Sequence, residues 1–339
     1  MRNTLYIIGL GLFVVSCGSQ KNIQKKSVPE QKIQQTVSAT DKPAEKESHI
    51  EHLGKYDFYK VNIANPAKND NTISYGSIVS ANPEHYKINK DYFPAVGQNF
   101  RQRYIIVHYT ALDNDKSLRV LTEQSVSSHY LVNDLDDKDI YQLVDENKRA
   151  YHAGVSSWRK IENLNDTSIG IEIVNRGYTA DANANKTFYE YPDWQVKKVA
   201  YLIKDIADRY QIPPTNILGH SDIAPTRKED PGPKFPWKKL YTDYGIGMWY
   251  DDFTKQKYAN QIIPEQFFEE RETPPFIFKF QTMLRDFGYG IEPSGTVDRA
   301  TKKTIEAFQY RFRPELCDGV LDIETYAILQ ALLEKYPAK

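Results

Sequence analysis

The segment from Gly219 to Pro233, GHSDIAPTRKEDPGP, brings several chemically active side chains into one short loop. His220 and Asp230 are good ligands for zinc, one through an imidazole nitrogen and the other through a carboxylate oxygen, and Lys228 lies shortly before Asp230. The prolines stiffen the loop, so that holding ligands in place costs little conformational entropy. Two ligands do not complete a zinc site, and the remaining sequence must therefore supply a third.

Two predicted strands carry further candidates. The continuous apolar run in RYIIVHYT predicts a buried strand, and His108 lies at its end. A histidine at that position can line a site, although a hydrogen-bonded core histidine is the alternative. SIGIEIVN predicts a second buried strand, in which Ile171 and Ile173 share one face and Glu172 points to the other. Because burying an uncompensated carboxylate is costly, Glu172 must either meet a cation or line a cleft.

The elements that would position these residues alternate along the chain. SSHYLVND and IYQLVDE predict two more strands, separated by the acidic turn from Asp134 to Asp139. An amphipathic helix capped by Asp193 is predicted to run through Tyr210, and the short apolar run at Ile217 then leads into the loop. This order predicts an α/β fold with a mixed central sheet flanked by helices.

Length and composition narrow the class of protein. The chain has 339 residues, which suits two domains with additional segments. Its net charge of −1 and its pI of about 6.7 argue against a nucleic-acid partner, which would need clustered positive charge. The two cysteines, Cys17 and Cys317, offer no disulfide framework.

The amino terminus has the pattern of a bacterial lipoprotein signal. The apolar run from Leu5 to Val15 is too short for the roughly twenty residues of a membrane-spanning helix and suits the core of a secretory signal. Its end, VVSC, resembles a lipobox, which implies that Cys17 is acylated and anchors the protein in a membrane. The alternative is an ordinary signal peptide that contains a cysteine. Gly18 follows the cysteine, which favours the outer membrane, and we expect the protein to face the periplasm.

Residues 1–17 are thus predicted to be a lipoprotein signal peptide. Residues 18–55 contain no aromatic side chain and are rich in Gln, Lys, Ser and Glu. Such a segment cannot bury enough apolar surface to offset its ordering entropy, so a disordered tether is predicted. Residues 56–100 have no clear periodicity and carry no chemistry that we can assign.

Five ordered blocks resemble the zinc-dependent N-acetylmuramoyl-L-alanine amidases of the type-2 family, which are related in fold to peptidoglycan recognition proteins. The blocks are VHYTA, SSHYLV, YHAGVSSW, SIGIEIVN and GHSDIAPTRKEDPGPKFPW. They cover about Arg101 to Leu240 in the family's order. The resemblance implies a catalytic domain over residues 56–250, with its core at 101–240.

The resemblance also implies roles for individual residues. His108, His220 and Asp230 match the family's three zinc ligands, which would leave a fourth position open, as catalytic zinc requires. Glu172 matches the proposed general base, and Lys228 the residue proposed to stabilise the developing oxyanion. A plain surface lysine is the alternative for Lys228.

Three further positions fall within the matching blocks. His152 and Asn175 resemble positions that line the family's substrate groove. For His129, control of a tautomer or packing beneath the metal is favoured over direct ligation, because three ligands are already assigned.

The carboxyl-terminal part has helical periodicity. Residues 251–275 are predicted to form a connector, and three helices are predicted at Phe276 to Phe287, Asp298 to Phe312 and Glu324 to Tyr336. FQTMLRDFGY, GTVDRATKKTIEAFQ and DGVLDIETYAILQALL resemble the small three-helix peptidoglycan-binding domain attached to many wall hydrolases, which implies such a domain at 276–337. The alternative is a stabilising helical appendage without a ligand.

The expected function is zinc-dependent hydrolysis of the amide between the muramoyl lactyl group and L-Ala of peptidoglycan stem peptides, in cell-wall turnover or recycling. The expected partners are peptidoglycan and muropeptides, together with a membrane through the lipid anchor. One alternative is a non-catalytic peptidoglycan-recognition protein on the same fold, although such proteins typically lack a metal ligand. Another is an amide hydrolase that acts on a different bond of the peptide.

Overall fold

A five-stranded mixed sheet with strand order β3-β2-β6-β1-β9 forms the centre of the fold in the computed structural model. Its strands are β1 (Tyr104–Tyr109), β2 (Tyr130–Val132), β3 (Tyr141–Gln142), β6 (Ser168–Ile173) and β9 (Ile217–Gly219). Strand β1 runs parallel to β6 and β9, β2 runs parallel to β6, and β3 is antiparallel to β2. The predicted mixed sheet is therefore confirmed, and the carboxyl ends of β1, β6 and β9 meet at one edge.

The structure describes residues 83–86, 97 and 99–338. The predicted signal peptide at 1–17 with Cys17, the tether at 18–55 and most of 56–100 lie outside these residues. Within the described part, no helix combines the length and the apolar character that crossing a membrane would require.

Four helices accompany the sheet. They are α1 (Asn114–Glu123), α2 (Asp193–Tyr210), α3 (His220–Ile223) and α4 (Trp237–Tyr244). Helix α2 is the amphipathic helix predicted from the sequence, and its apolar face is buried in the main hydrophobic cluster. The predicted cap is one residue off, because Pro192 occupies the N-cap position and Asp193 begins the first turn. Helix α3 is a single turn within the segment that was expected to be a loop.

Two small hairpins and helix α1 were not predicted. The hairpins pair β4 (Ser157–Trp158) with β5 (Ile161–Glu162), and β7 (Tyr178–Ala180) with β8 (Lys186–Phe188). Strands of this length are too short to produce a readable alternation. Helix α1 buries little beyond Ser117 and Leu121, so its apolar signal is weak.

The carboxyl-terminal region is helical throughout. It comprises α5 (Asp252–Ala259), α6 (Pro264–Glu270), α7 (Pro274–Phe287), α8 (Arg299–Phe312) and α9 (Ile323–Lys335). Helices α7, α8 and α9 are the three predicted helices, with bounds shifted by one or two residues at some ends. The connector predicted at 251–275 contains α5, α6 and the start of α7.

The same hydrophobic cluster contains residues of the sheet and residues of α7, α8 and α9. Trp158 lies at their junction and is 0% exposed. Its ring meets Phe287 edge-on at a centroid distance of 5.8 Å and Tyr289 at 5.2 Å. Gly288 packs directly on the same indole, and a Cβ at this position would lie 2.7 Å from the ring. The three carboxyl-terminal helices therefore share a core with the sheet.

Candidate metal centre and active site

The sheet brings the three predicted zinc ligands together at its carboxyl edge. His108 is near the end of β1, and His220 follows the neighbouring strand β9 directly. Their Nδ1 atoms are 2.9 Å apart, and each lies 3.0 Å from Oδ2 of Asp230. All three side chains are buried. Three potential ligand atoms thus form one small triangle.

The loop after α3 returns Asp230 to this triangle. The backbone N–H of Ser221 donates to the carbonyl oxygen of Asp230 at 2.8 Å. The hydroxyl of Tyr191 donates to the carbonyl oxygen of Pro231 at 2.9 Å. The first bond ties the far end of the loop to α3, which carries His220, and the second ties it to the segment before α2. Together they fix the carboxylate beside the histidines.

The hydrogen-bond partners determine the tautomer of His108. Ser168 Oγ donates to the carbonyl oxygen of Leu164 at 2.5 Å, so it accepts from Nε2 of His152 at 3.1 Å. His152 Nδ1 then has no hydrogen and accepts from Nε2 of His108 at 2.9 Å. The Nδ1 atom of His108 consequently keeps its lone pair and directs it at the triangle.

His220 reaches the same state by a shorter route. Its Nε2 donates to the carbonyl oxygen of Ala153 at 3.0 Å, so its Nδ1 also carries a free lone pair. The carbonyl of Ala153 additionally accepts from Nη2 of Arg227 at 2.7 Å. Both histidines therefore present acceptor atoms to the centre.

The charge states complete this pattern. Burial and the neighbouring His220 together lower the pKa of His108 to about 4, so the ring is neutral. Burial acts to raise the pKa of Asp230, but the neighbouring histidines, His220 first, outweigh it and hold the pKa well below its usual range. With these tautomers, two imidazole nitrogens and one carboxylate oxygen face each other as acceptors about 3 Å apart. A metal cation among these atoms would relieve that repulsion, and this donor set suits Zn²⁺.

Glu172 lies next to the triangle on β6, in register with His108 on β1. Burial and the charge of Asp230, partly offset by Lys228, together raise its pKa to about 8. Its Oε2 atom is buried and has no hydrogen-bond partner among the described residues. The sequence predicted that Glu172 would either meet a cation or line a cleft. Both hold, because Glu172 lines a cavity that also contains the cationic side chain of Lys228.

A cavity of about 260 Å³ opens above the triangle. Its polar end contains His108, His220, Asp230, Glu172 and Lys228. Its other wall is largely apolar and comes from α1 and the flanking residues, namely Leu112, Val120, Leu121 and Val126. This wall was not predicted from the sequence. The spacing of Ser117, Val120 and Leu121 along one helix face was the signal that could have found it.

The other predicted site residues lie in three different environments. His152 lines the cavity, but both of its ring nitrogens are used in the chain of bonds that orients His108. His129 accepts from the N–H of Gly170 at 3.0 Å and donates to the carbonyl of Lys148 at 3.0 Å, so both ring nitrogens are occupied by backbone. Its ring packs edge-on against His152, beneath the metal ligands.

The structure does not place Asn175 in the cavity. Its Nδ2 donates to the carbonyl oxygen of Glu190 at 3.1 Å, and its Oδ1 accepts from the N–H of Gly177 at 2.8 Å. Both ends of the amide therefore hold the turn that follows β6. The predicted contact of Asn175 with substrate has no support from this geometry.

Two family models and several individual proteins match this chain. The family model for N-acetylmuramoyl-L-alanine amidase matches residues 98–233, and the model for the putative peptidoglycan binding domain matches residues 274–329. The chain is 44% identical to the N-acetylmuramoyl-L-alanine amidase AmiD of Escherichia coli over 241 residues, which are 70% of this chain and 84% of that protein. It is 40% identical to the 1,6-anhydro-N-acetylmuramyl-L-alanine amidase AmpD of the same organism over 115 residues, which are 34% of this chain and 56% of AmpD.

Two solved structures are similar over most of their length. AmiD of E. coli, solved in complex with anhydro-N-acetylmuramic acid-L-Ala-D-gamma-Glu-L-Lys, has a TM-score of 0.69 at 41% identity and covers 76% of this chain and 98% of its own. AmpDh3 of Pseudomonas aeruginosa, solved with anhydromuramic pentapeptide, has a TM-score of 0.63 at 41% identity and covers 77% of this chain and 100% of its own. Both resemblances predicted from the sequence are confirmed. The chain therefore belongs to the N-acetylmuramoyl-L-alanine amidase family, whose members are metal-dependent amide hydrolases.

Proposed function

We propose that this enzyme uses zinc to hydrolyse the amide between the muramoyl lactyl group and L-Ala of peptidoglycan stem peptides, in cell-wall turnover or recycling. The observation that carries the proposal is the triangle of acceptor atoms of His108, His220 and Asp230, with Glu172 and Lys228 in the same cavity. The muramoyl peptides bound in the two similar solved structures support the substrate class.

The zinc ion would be held by Nδ1 of His108, Nδ1 of His220 and Oδ2 of Asp230. Zinc at such a site supplies Lewis-acid chemistry, since it polarises a carbonyl and makes water acidic enough to react near neutral pH. His152 keeps His108 in the tautomer that leaves Nδ1 free for the metal.

Glu172 is placed to move the proton. A divalent cation beside it would lower its raised pKa and favour the carboxylate. The ionised Oε2, which has no hydrogen-bond partner among the described residues, accepts the proton of the attacking water. The same carboxyl then delivers the proton to the nitrogen of L-Ala as the amide bond breaks.

Lys228 is placed to stabilise charge. Its side chain lines the cavity, and its charge lowers the pKa of Glu172. As water adds to the lactyl carbonyl, the carbonyl oxygen becomes negative, and a positioned ammonium offsets that charge. The apolar wall from α1 excludes water from the side of the cavity opposite these polar groups.

The proposed setting is the outer membrane, with the enzyme facing the periplasm. It is supported by the resemblance of the VVSC sequence at Cys17 to a lipobox. The helices at 274–329 would add affinity for the peptidoglycan wall. Replacing Cys17 by Ala should release the protein from the membrane fraction and abolish incorporation of labelled fatty acid. The lipid anchor would be contradicted if neither the wild-type protein nor Cys17→Ala incorporated label and both stayed in the membrane fraction.

The experiment for the activity is mass analysis of the products from sacculi and from soluble muropeptides. The expected products are stem peptides with a free amino group on L-Ala and glycans with a free lactyl carboxylate. Products cut at another bond of the peptide would refute the substrate assignment.

Paired lysine variants test the role of Lys228. Lys228→Ala should keep the metal and lose turnover by about 10²-fold or more, the usual effect of removing an oxyanion-stabilising group. Lys234→Ala is the matched control. Lys234 lies in the same stretch of chain but does not line this cavity, and its Nζ forms an ion pair with Glu190 at 2.6 Å. Equal turnover in the two variants would remove Lys228 from the mechanism.

A further inference from the structure

The carboxylate of Asp222 connects the metal-binding turn to the carboxyl-terminal helices. Asp222 follows shortly after His220 in α3 and is 1% exposed. Its Oδ2 accepts from the backbone N–H of Gly219 at 2.8 Å and from Nη1 of Arg311 at 2.6 Å. Its Oδ1 accepts from the hydroxyl of Tyr289 at 2.9 Å. Gly219 directly precedes the metal ligand, whereas Arg311 lies in α8 and Tyr289 follows α7.

Arg311 holds the other side of the same turn. Its Nη2 donates to the carbonyl oxygen of Ile217, the first residue of β9, at 3.0 Å. Its guanidinium carbon lies 4.0 Å from the ring centroid of Trp237, which covers the pair. Arg311 itself is 2% exposed. A single planar guanidinium therefore bonds to the chain on both sides of His220.

This arrangement restricts the movement of His220. The fork of an arginine fixes two acceptors relative to each other, here a backbone carbonyl before the histidine and a side chain after it. Removing one member of a buried ion pair leaves the other charge uncompensated, so the turn would shift or admit water. The three candidate ligand atoms lie about 3 Å apart, and a metal tolerates only small departures from its preferred geometry.

We infer that the carboxyl-terminal helical region positions the metal-binding turn, with Arg311 and Tyr289 acting through Asp222 to hold His220 at the metal. Both are positioning residues, since neither lines the cavity at the metal. The inference rests on the proposed zinc site. It gives this region a role that wall binding alone does not require.

The chain offers a matched control for Arg311. Arg313 is the C-cap of α8, is 7% exposed and forms ion pairs with Asp322 and with Glu324, the latter at 3.2 Å. Its partners all belong to the carboxyl-terminal region. Arg311→Met and Arg313→Met each remove one buried guanidinium from the same short stretch, but only the first reaches Asp222.

The test measures zinc affinity by competition with a chromophoric chelator, together with the visible spectrum after Co²⁺ substitution and the thermal midpoint. Arg311→Met should weaken zinc binding by about tenfold to a hundredfold, the usual range for residues that orient a ligand, and should alter the Co²⁺ spectrum. Arg313→Met should change zinc affinity by less than about twofold and leave the spectrum unchanged. Equal zinc affinity in the two variants would overturn the inference.

A milder pair keeps the test decisive if Arg311→Met does not fold. Tyr289→Phe removes one hydrogen bond to Asp222 and keeps the ring. Tyr310→Phe removes one hydrogen bond to Glu306 within α8, at 2.7 Å. We expect zinc affinity to fall about threefold or more in Tyr289→Phe, because bonds to charged groups are strong, and to stay unchanged in Tyr310→Phe. No difference between these variants would refute the inference.

The wild-type measurement separates this inference from the proposed function. If the wild-type protein binds no zinc and its turnover survives complete removal of metal, then the zinc mechanism fails and the inference fails with it. If the wild-type protein depends on zinc but Arg311→Met and Arg313→Met bind it alike, then only the inference fails.

Discussion

Replacing Ser168 by Ala tests whether the chain of hydrogen bonds behind His108 prepares the metal ligand. In the wild-type protein, Ser168 Oγ accepts from Nε2 of His152 at 3.1 Å, and His152 Nδ1 accepts from His108 at 2.9 Å. Without the hydroxyl, the Nε2 hydrogen of His152 loses its acceptor. The ring can then place its hydrogen on Nδ1 instead, which forces the hydrogen of His108 onto the nitrogen that faces the metal.

The size of the effect follows from the bond that is lost. Ser168 is 5% exposed, and an unsatisfied buried donor costs about 1–3 kcal/mol. Since each 1.4 kcal/mol corresponds to about tenfold in a binding constant, zinc affinity should fall by about tenfold to a hundredfold. Chelator competition on the purified protein measures this directly.

Ser117→Ala provides the control for this experiment. Ser117 is 1% exposed, lines the same cavity and donates to the carbonyl oxygen of Asp113 at 2.7 Å, so its hydroxyl is outside the chain of hydrogen bonds behind His108. We expect its replacement to leave zinc affinity within about twofold of wild type. If Ser168→Ala binds zinc as tightly as Ser117→Ala, then the hydrogen bond to Ser168 does not set the tautomer of His108.

Three further predictions concern the base, the acid stability and the junction of the two regions. Glu172→Gln should retain zinc and lose turnover by about 10²–10⁴-fold, measured as product release, because the proton acceptor is gone; wild-type turnover would exclude Glu172 as the base. Burial acts to raise the pKa of Glu146, but hydrogen bonds from Arg209, Tyr130 and Tyr210 outweigh it and lower the pKa. This stabilisation is therefore complete above the unfolded-state pKa of about 4.3 and disappears as pH falls through the lower folded-state pKa. Glu146→Gln should reduce the free energy of unfolding at pH 7 and flatten its loss in acid, as measured by urea unfolding from pH 7 to pH 3, and an unchanged acid profile would contradict the assignment. Trp158→Ala should lower the free energy of unfolding by about 3–5 kcal/mol, because the indole fills the junction of sheet and carboxyl-terminal helices; a loss below about 1 kcal/mol would show that the junction is loosely packed.

The sequence was sufficient for features that depend on local pattern. Continuous apolar runs located β1 and β6, and the 3.6-residue period located α2 and the three carboxyl-terminal helices. His108 and Glu172 lie on adjacent strands in register, so placing the strands side by side also places these two side chains together.

The remaining features depend on contacts between distant segments. Nothing in the sequence around Ser168 indicates that its hydroxyl orients His152, and the bond between Arg311 and Asp222 spans 89 positions. Asn175 was predicted to contact substrate from its place in a matching block, but its amide holds a local turn instead. Polar side chains such as these bind whichever polar groups the tertiary fold leaves without a hydrogen-bond partner, and the local sequence does not show which groups those are.

The most direct test of the zinc mechanism is a titration of metal-free protein with Zn²⁺, in which bound zinc and product release are measured on the same sample. The mechanism predicts that turnover rises in proportion to bound zinc and saturates at one ion per chain, and that Asp230→Ala neither binds the ion tightly nor turns over substrate. Full turnover in protein shown by metal analysis to contain no metal would contradict it.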